Sequence, residues 1–355
     1  MGRVFSNEIV FRGHPDKVAD QISDALFTAY LEGDSYTRAG IEVMGGKGCI
    51  FVTGEVTSKA SVDVQEVVSR VLEDVGYDHS AYKVINNIGQ QSPDIAQGVD
   101  VGGAGDQGMM YGYACRDTER YMPTAVAILQ ELSEWYDNLR AARPDVFFAD
   151  GKAQITGEYI VSGETGAFLL DRIKTFTISY QNSEVDRETT DALLRDKATE
   201  IAAKYGIEID EFLINPTGKF LIGGFDGDAG LTGRKIVVDA YHSFAHVGGG
   251  AFSGKDSTKV DRSAAYKARQ LAIRALEEFD LYWAEVQLSY AIGVAEPLAI
   301  YIDSNKGTLE PPAEWYAECT PAAIFEEFDL RNFDFGTTAK FGHFGHNFPW
   351  EKVEG

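Results

Sequence analysis

The sequence predicts a mixed α+β fold, and three observations support this expectation. The chain has 355 residues, of which 44% are hydrophobic and 25% charged, so it contains enough apolar material for a sizeable core. Helix-like and strand-like patterns alternate throughout, without the regular strand–helix–strand order of a parallel sheet fold. No short-period repeat accompanies them. At roughly 150 residues per domain, the length indicates about two to three domains.

The spacing of apolar residues predicts the individual elements. Recurrence at helical spacing predicts helices at 15–32, 62–75, 124–139, 188–204 and 259–279, with a short helix from Thr320. Apolar runs bounded by turn residues predict hairpins at 41–57 and 153–180, and strands at 212–215, 236–241, 284–292 and 298–302. Glycine-rich joints near 98–108 and 223–233 are the candidate domain boundaries.

The charge balance narrows the class of partner. The chain has 32 Lys+Arg and 55 Asp+Glu, which gives a net charge of −23. Such a surface argues against general binding of nucleic acid or an anionic membrane, because both need a basic surface. No apolar run exceeds five residues, so no membrane span is expected. The three cysteines show no metal-binding spacing, which favours reduced thiols and a cytoplasmic location.

The segment 13–17, with the sequence GHPDK, is the first candidate for chemistry. It precedes and opens a predicted helix, whose N-terminus attracts anions. An acid at that position can also hold a cation, so His14 and Asp16 could together meet a metal–phosphate group. Helix capping, with Asp16 offsetting the helix dipole, is the alternative interpretation.

Two glycine-rich segments are further candidates. Residues 103–108 fit a dinucleotide-binding pattern only weakly, because no clear strand precedes them, and a tight or mobile loop is favoured. Residues 248–256 resemble a Walker A loop, but Asp256 stands where a Mg²⁺-binding Ser or Thr should be. The glycine backbone and Lys255 still favour a phosphate cradle, while the carboxylate argues against a P-loop fold.

Charged residues are dense around this cradle. The cations are Arg234, Lys235, Lys255, Lys259 and Arg262, and the acids are Asp228, Asp239 and Asp261. A salt-bridged surface and a polyanion site with spare carboxylates for Mg²⁺ both fit this pattern. One charge pair at 4 Å interacts by about 4 kcal/mol at an effective dielectric of 20, so a local cluster can outweigh a screened global charge. His242 and His246 are four residues apart, but they lie at a predicted strand end and in a loop, which is a poor metal spacing.

Nine segments in order along nearly the whole chain resemble the S-adenosylmethionine synthetase (methionine adenosyltransferase) family. They are GHPDKVADQISDA at 13–25, TGEVTS at 53–58, IGQQSPDIAQGVD at 88–100, GAGDQG at 103–108, INPTGKFLIGG at 214–224, GDAGLTGRKIVVD at 227–239, GGGAFSGKDSTKVDRSAAY at 248–266, SYAIGVAEP at 289–297 and GHFGHNFPWE at 342–351.

The resemblance implies three similar mixed α/β domains in a pseudo-threefold arrangement, expected at 1–100, 103–222 and 223–355. It also implies a homodimer or homotetramer with active sites between subunits. The family joins ATP to L-methionine and releases triphosphate, which is hydrolysed to phosphate and diphosphate. The nucleophile is a thioether sulfur without a proton, which is consistent with the lack of general-base and nucleophile motifs in this sequence.

The resemblance also assigns roles. The residues expected to bind ATP are His14, Asp150 at the ribose, Lys152, Lys219, Phe220 near the adenine, Asp228, Arg234, Lys235, Ala251 and Lys255; His14, Lys152, Arg234 and Lys255 are the expected catalytic residues. Methionine is expected at Glu55, Gln97, Asp106, Asp228 and Lys259. Two Mg²⁺ ions are expected at Asp16 and Asp261, and an activating K⁺ at Glu42.

The chain departs from the family pattern at four places. Arg12 replaces an expected acid and is predicted to bring a positive charge beside the site. Lys219 stands where the family usually has Arg, the loop between Gln97 and Gly103 is shortened, and residues 242–247 differ. A P-loop-like kinase or NTPase and a non-catalytic relative of the family stay open as alternative functions.

Overall fold

A computed structural model describes residues 2–90, 102–183 and 185–352. Its strands are β1 (Arg3–Val10), β2 (Arg38–Gly46), β3 (Cys49–Thr57), β4 (Lys83–Gly89), β5 (Gly108–Cys115), β6 (Phe147–Val161), β7 (Phe168–Asn182), β8 (Ile209–Ile214), β9 (Gly230–Leu231), β10 (Trp283–Tyr290) and β11 (Ala299–Ser304). Its α-helices are α1 (Pro15–Gly33), α2 (Val64–Val75), α3 (Thr124–Ala142), α4 (Arg187–Lys204), α5 (Gly224–Gly227), α6 (Ile236–Asp239), α7 (Val260–Glu278), α8 (Glu314–Glu318) and α9 (Pro321–Glu327).

The strands form three sheets, and one long helix packs on each. Strand order is β4-β3-β2-β9 in the sheet under α1, β1-β6-β7-β8 in the sheet under α3, and β11-β10-β5 in the sheet under α7. The pairs β3–β4 and β7–β8 are parallel, whereas the other pairs are antiparallel. These three sheet-and-helix units confirm the expected α+β fold.

Strand exchange links the units. Strand β1 comes from the predicted N-terminal domain but pairs with β6 of the central domain. Strand β5 comes from the predicted central domain but pairs with β10 of the C-terminal domain. The boundaries at 1–100, 103–222 and 223–355 stay a prediction, and Gln97 lies outside the described residues.

Helix α2 shows how the sequence specifies its elements. Its six apolar residues at helical spacing, from Val64 to Val75, are all buried. Asp63 caps the N-terminus by accepting a hydrogen bond from the Glu66 backbone N–H at 3.1 Å. Gly76 ends the helix at a φ of +99°, a left-handed conformation that glycine adopts without strain.

The structure confirms the predicted long helices and both hairpins, with small shifts at their ends. The strand predicted at 236–241 is wrong, because this segment forms the short helix α6 and then turns sharply at His242 and Ser243. An apolar run of this length does not by itself distinguish a strand from a buried helical turn. Strands β1, β4, β5 and β9 were not predicted from the sequence.

Among the described residues, no helix is both long and apolar enough to cross a membrane. Cys49, Cys115 and Cys319 are free thiols, and the last two are buried.

Candidate active site

The start of α1 is held rigidly by its neighbours. His14 is the N-cap, and its Nδ1 accepts a hydrogen bond from the Asp16 backbone N–H at 3.2 Å. Gly13 lies so close to β6 that a Cβ there would be 2.3 Å from the Ala149 Cβ. The Tyr77 hydroxyl donates to the Gly13 carbonyl at 2.6 Å. The helix therefore begins at a fixed point with its first backbone N–H groups at the site.

Asp16 lies at the centre of a group of charges. Its Oδ2 is 2.5 Å from the Lys235 ammonium, and its Oδ1 is 3.6 Å from the Arg234 Nε. Oδ1 also accepts a hydrogen bond from the Leu231 backbone N–H at 3.0 Å. Burial disfavours the charged carboxylate, but the hydrogen bond from Lys235 outweighs it, together with that from Leu231, so the pKa of Asp16 is lowered. Asp16 is therefore ionised at neutral pH.

His14 is neutral at neutral pH. Burial lowers its pKa to about 3, and the nearby charges of Lys235 and Lys152 lower it in the same direction. A neutral imidazole donates one hydrogen bond and accepts one. Because Nδ1 already accepts from the backbone, Nε2 is the nitrogen left to donate to a ligand.

Strand β6 brings two more predicted residues to this place. Lys152 pairs in register with Val10, at the end of β1 just before the GHPDK segment. Asp150 is buried and accepts a hydrogen bond from the Gly224 backbone N–H at 2.8 Å. Burial raises the pKa of Asp150 to about 6, although this hydrogen bond and the Lys152 charge act in the opposite direction.

The first cluster is this group around the start of α1: His14, Asp16, Asp150, Lys152, Asp228, Arg234 and Lys235. Asp228 belongs to it through its electrostatic interactions with His14 and Asp150. The cluster rests on a buried ion-pair network in which the Lys17 ammonium lies 2.6 Å from Asp239 and 3.2 Å from Asp20. Asp20 also accepts a hydrogen bond from the Gly233 backbone N–H at 2.8 Å, which positions the Arg234–Lys235 pair.

The second cluster lies at the start of α7 and consists of Glu55, Lys255, Lys259 and Asp261. The Lys255 ammonium is 2.6 Å from Asp261, and the Lys259 ammonium is 3.8 Å from Glu55 of β3. A Cβ at Gly250 would lie 2.1 Å from the Asp261 carboxyl carbon, so the glycine allows the loop to pass over this side chain.

Asp256, the residue that breaks the Walker A pattern, has a structural role. It is buried, and its Oδ2 accepts a hydrogen bond from the Ala39 backbone N–H of β2 at 2.9 Å. Its Oδ1 accepts from the backbone N–H and the hydroxyl of Thr258. The carboxylate thus fastens the glycine-rich loop to β2 and does not occupy the place of a metal-binding hydroxyl.

A buried ion pair joins the helices that carry the two clusters. Arg262 of α7 donates to both carboxylate oxygens of Asp24 of α1, at 2.6 and 3.1 Å. Both side chains are fully buried. Asp24 also accepts a hydrogen bond from the Gly254 backbone N–H, so the glycine-rich loop is attached to the same pair. Among the described residues, no hydrogen bond or ion pair joins the two clusters directly.

The remaining predicted residues lie outside these two clusters. The loop that contains Asp106 is attached beside the second cluster, because the Gly105 N–H donates a hydrogen bond to the carbonyl of Thr258, the residue before Lys259. Ala251 lies against Gly233, which precedes Arg234. Glu42 is exposed on β2, Phe220 is half-buried and Lys219 is exposed.

The expectation for Arg12 is wrong. Its guanidinium is buried and pairs with Asp74 and, at 3.2 Å, with Asp137, while its Nε donates to Gln21 at 2.7 Å. The charge is therefore neutralised between α1, α2 and α3 and does not face the first cluster.

Sequence reasoning names Lys17 in the GHPDK segment and Asp239 among the acids near the cradle, but it does not predict the residues that support the first cluster. One pattern could have indicated the burial of Lys17, Asp20, Asp24 and Asp239. The segments that contain these residues place charged side chains on several faces that also carry apolar residues. Such a pattern indicates burial on all sides, where charged groups need partners.

The fold and the two clusters define an α+β protein with paired cation-rich sites at two helix N-termini, suited to hold a polyanion. Models of the S-adenosylmethionine synthetase N-terminal, central and C-terminal domains match residues 2–93, 101–220 and 222–352. S-adenosylmethionine synthases of Prochlorococcus marinus strains AS9601 and MIT 9215 are 41% and 42% identical over 401 aligned positions, which cover 99% of this chain and 96% of each relative. The synthase of Synechococcus sp. strain CC9605 is 40% identical over 400 positions, with the same coverage.

The chain therefore belongs to the S-adenosylmethionine synthetase family. This membership confirms the expectation that the chain is a methionine adenosyltransferase. The 401 aligned positions exceed the 355 residues of the chain by 46, so at least that many positions of the relatives have no counterpart here. This chain is accordingly shorter than these relatives over the aligned region.

Proposed function

We propose that the enzyme forms S-adenosylmethionine by attack of the methionine sulfur on C5′ of ATP. Triphosphate leaves and is then hydrolysed to phosphate and diphosphate. The grouping of Lys152, Arg234 and Lys235 around His14 and the start of α1 carries this proposal. The difficult part of the reaction is the departure of a highly charged leaving group, and a preorganised group of cations and donors stabilises the charge that develops there.

His14 is the proposed donor to the leaving oxygen. Its neutral imidazole has one nitrogen already occupied by the backbone, which fixes the donor position of the other. Arg234, Lys235 and Lys152 hold the triphosphate, and Asp150 holds the ribose. The ordered approach of sulfur to C5′ contributes further, since orientation alone is worth about 7–11 kcal/mol in favourable cases.

Asp16 and Asp261 suit Mg²⁺ ions bound together with the substrate. Among the described residues, no group of three or more acidic, histidine or cysteine side chains forms a protein-only cage. Mg²⁺ usually takes one or two carboxylates and fills its other positions with phosphate oxygens and water. One carboxylate at each helix start fits that donor set, and the ion would neutralise phosphate charge. K⁺ at Glu42 is part of the same proposal.

The second cluster is proposed to act in the site of a neighbouring subunit. Its cations Lys255 and Lys259 make no direct contact with the first cluster in the described structure. A homodimer, alone or paired into a tetramer, would bring one cluster from each subunit to a common pocket. Lys255 would then hold the phosphates, and Glu55, Asp106, Lys259 and Gln97 the methionine, with Phe220, Ala251 and Lys219 near the nucleotide. A cytoplasmic location completes the proposal.

Incubation with ATP, L-methionine, Mg²⁺ and K⁺, with product analysis by mass spectrometry, tests the function. S-adenosylmethionine together with phosphate and diphosphate is the expected result. Formation of ADP without methionine would instead support a kinase or NTPase. Binding of both substrates without any product would support a non-catalytic relative.

A further inference from the structure

The turn that leads into His14 has a buried arginine at its corner. Residues 11–14 connect β1 to α1 in a tight turn, since the His14 N–H donates to the Phe11 carbonyl at 2.9 Å. Main-chain hydrogen bonds attach this turn to β6 on one side. Arg12, the second residue of the turn, is 7% exposed and attaches it on the other side.

The Arg12 side chain connects the turn to three helices. Its guanidinium pairs with Asp74 near the end of α2 and, at 3.2 Å, with Asp137 of α3. Its Nε donates to the side-chain oxygen of Gln21 in α1 at 2.7 Å, and the Gln21 amide donates back to the Arg12 carbonyl at 2.8 Å. Gln21 therefore holds Arg12 through both side chain and main chain, about two turns into the helix that His14 caps.

The end of α2 holds this turn at two consecutive residues. Asp74 pairs with the Arg12 guanidinium, and Tyr77, just beyond the helix, donates to the Gly13 carbonyl at 2.6 Å. Burial disfavours the charge on Asp74, but the hydrogen bond and the charge of Arg12 outweigh it and lower the pKa of this carboxyl. Both members of the pair are therefore charged at neutral pH, and the attachment is a charge-assisted one.

We infer that Arg12 is a positioning residue for His14. By tying the turn to α1, α2 and α3, it fixes the direction in which the His14 Nε2–H points. This inference rests on the proposed function, in which that N–H donates to the leaving oxygen. A displacement of about 1 Å in a reacting geometry can cost about 10²-fold in rate.

Steady-state kinetics with both substrates is the first test. Arg12→Ala should lower kcat about tenfold and leave KM for ATP and for methionine within twofold, because its partners Gln21, Asp74 and Asp137 are outside the proposed substrate-binding residues. Gln21→Ala breaks the same connection from α1 while leaving the ion pairs of Arg12 in place, so it should lower kcat in the same way. The double variant should lose little more than Arg12→Ala alone, since the two residues act as one unit.

Nuclear magnetic resonance of the enzyme with ¹⁵N-labelled histidine gives a readout that needs no turnover. His14→Gln identifies the ring signals of His14. In the wild type, Nδ1 accepts from the Asp16 N–H, so the ring should show the single tautomer with its proton on Nε2. Arg12→Ala should move both ring nitrogen signals towards those of a mixture of tautomers.

Arg143→Ala is the matched control, because Arg143 directly follows α3 and pairs with Asp145 at 3.3 Å on the surface. It should leave kcat and the His14 signals unchanged.

Three results would overturn the inference: a normal kcat in folded Arg12→Ala and Gln21→Ala, losses that add fully in the double variant, or His14 signals that do not respond to Arg12→Ala. The two proposals fail separately. A wild-type enzyme that forms no S-adenosylmethionine, but whose His14 signals depend on Arg12, would refute only the proposed function. Normal product formation with unaffected variants would refute only the positioning role of Arg12.

Discussion

Three helices of 19 residues, α1, α3 and α7, pack on the three sheets, but only two of them carry charge at the N-terminus. Asp16 and Asp261 are each the second residue of their helix, and each pairs with a lysine, at 2.5 and 2.6 Å. Helix α3 has no acid in its first turn and no side-chain cap. Equivalent architecture therefore does not create a site; the residues at the helix start do.

The two charged helix starts differ in burial. The Asp16 side chain is 3% exposed, whereas those of Asp261 and Lys255 are 21% and 23% exposed. Charges in a buried, low-dielectric place act more strongly on a ligand than charges in contact with water. The difference is confined to the carboxylates, because the Lys235 and Lys255 side chains are similarly exposed, at 17% and 23%.

The largest expected effect concerns the link between the two charged helices. Arg262→Leu leaves the carboxylate of Asp24 buried and unpaired, which should lower the free energy of unfolding by about 3–5 kcal/mol. Arg274→Leu, on the same helix, breaks only partly exposed pairs and should cost about 0–1 kcal/mol. Urea denaturation measures the free energy of unfolding of both variants. Similar decreases in the two variants would show that the buried pair stabilises the fold no more than the partly exposed pairs do.

The next effect compares the lysines of the two clusters. Lys235→Ala and Lys255→Ala should each lower kcat about 10²–10³-fold, as loss of a preorganised charge donor does, with little change in methionine affinity. Steady-state kinetics with both substrates checks this, with Lys306→Ala, an exposed residue, as control. A near-normal kcat for Lys255→Ala would remove the second cluster from the phosphate site.

A smaller effect concerns the two aspartates. Asp16→Asn and Asp261→Asn each remove one charged ligand and should raise the Mg²⁺ concentration needed for half-maximal activity about tenfold or more. Asp280→Asn, which changes an exposed carboxylate, serves as the control. If only one variant shifts the Mg²⁺ titration, the two helix starts are not equivalent in metal binding.

The smallest effect is a pH dependence from Asp150, whose pKa burial raises to about 6. As pH falls from 7 to 5, its carboxylate takes up a proton and loses an acceptor for the ribose, so kcat/KM for ATP should fall by up to about tenfold. The effect on stability has the opposite sign. Because a raised pKa means that the folded state holds this proton more tightly than the unfolded chain does, Asp150 should raise the free energy of unfolding as the pH falls. His14, with a pKa of about 3, does not titrate in this range. Asp150→Asn should abolish the pH dependence, and a persistent fall would assign it elsewhere.

Local patterns sufficed for the long elements of the fold. The regularly spaced valines of α2 lie within one helix, and so do Pro15 and Gly33, which begin and end α1. The parallel pairing of β3 with β4, and of β1 with β6 across domains, depends on contacts distant in sequence, which no local pattern contains. The prediction for the segment of α6 was wrong because a short apolar run does not distinguish a strand from a buried helical turn, and its Asp239 pairs with Lys17, a partner 222 residues away that no local pattern contains.

The candidate site divides in a similar way. The resemblance supplied the charged residues at the two helix starts, but not which of them lie together. The sequence shows Asp256 only as a departure from a phosphate-loop pattern. Its hydrogen bonds to Ala39 and Thr258 show that it fastens the glycine-rich loop to β2. The sequence places the charge of Arg12 beside the site, whereas the structure pairs it with Asp74 and Asp137.

The separation of the two clusters has a consequence for mixtures of subunits. In the proposed dimer, a chain inactivated at Lys235 and a chain inactivated at Lys255 would assemble one doubly damaged pocket and one intact pocket. Two inactive preparations, unfolded and refolded together, would then regain activity that neither shows alone. The genetic counterpart is complementation between two defective alleles. It would arise because neither subunit alone contains all the residues of one active site.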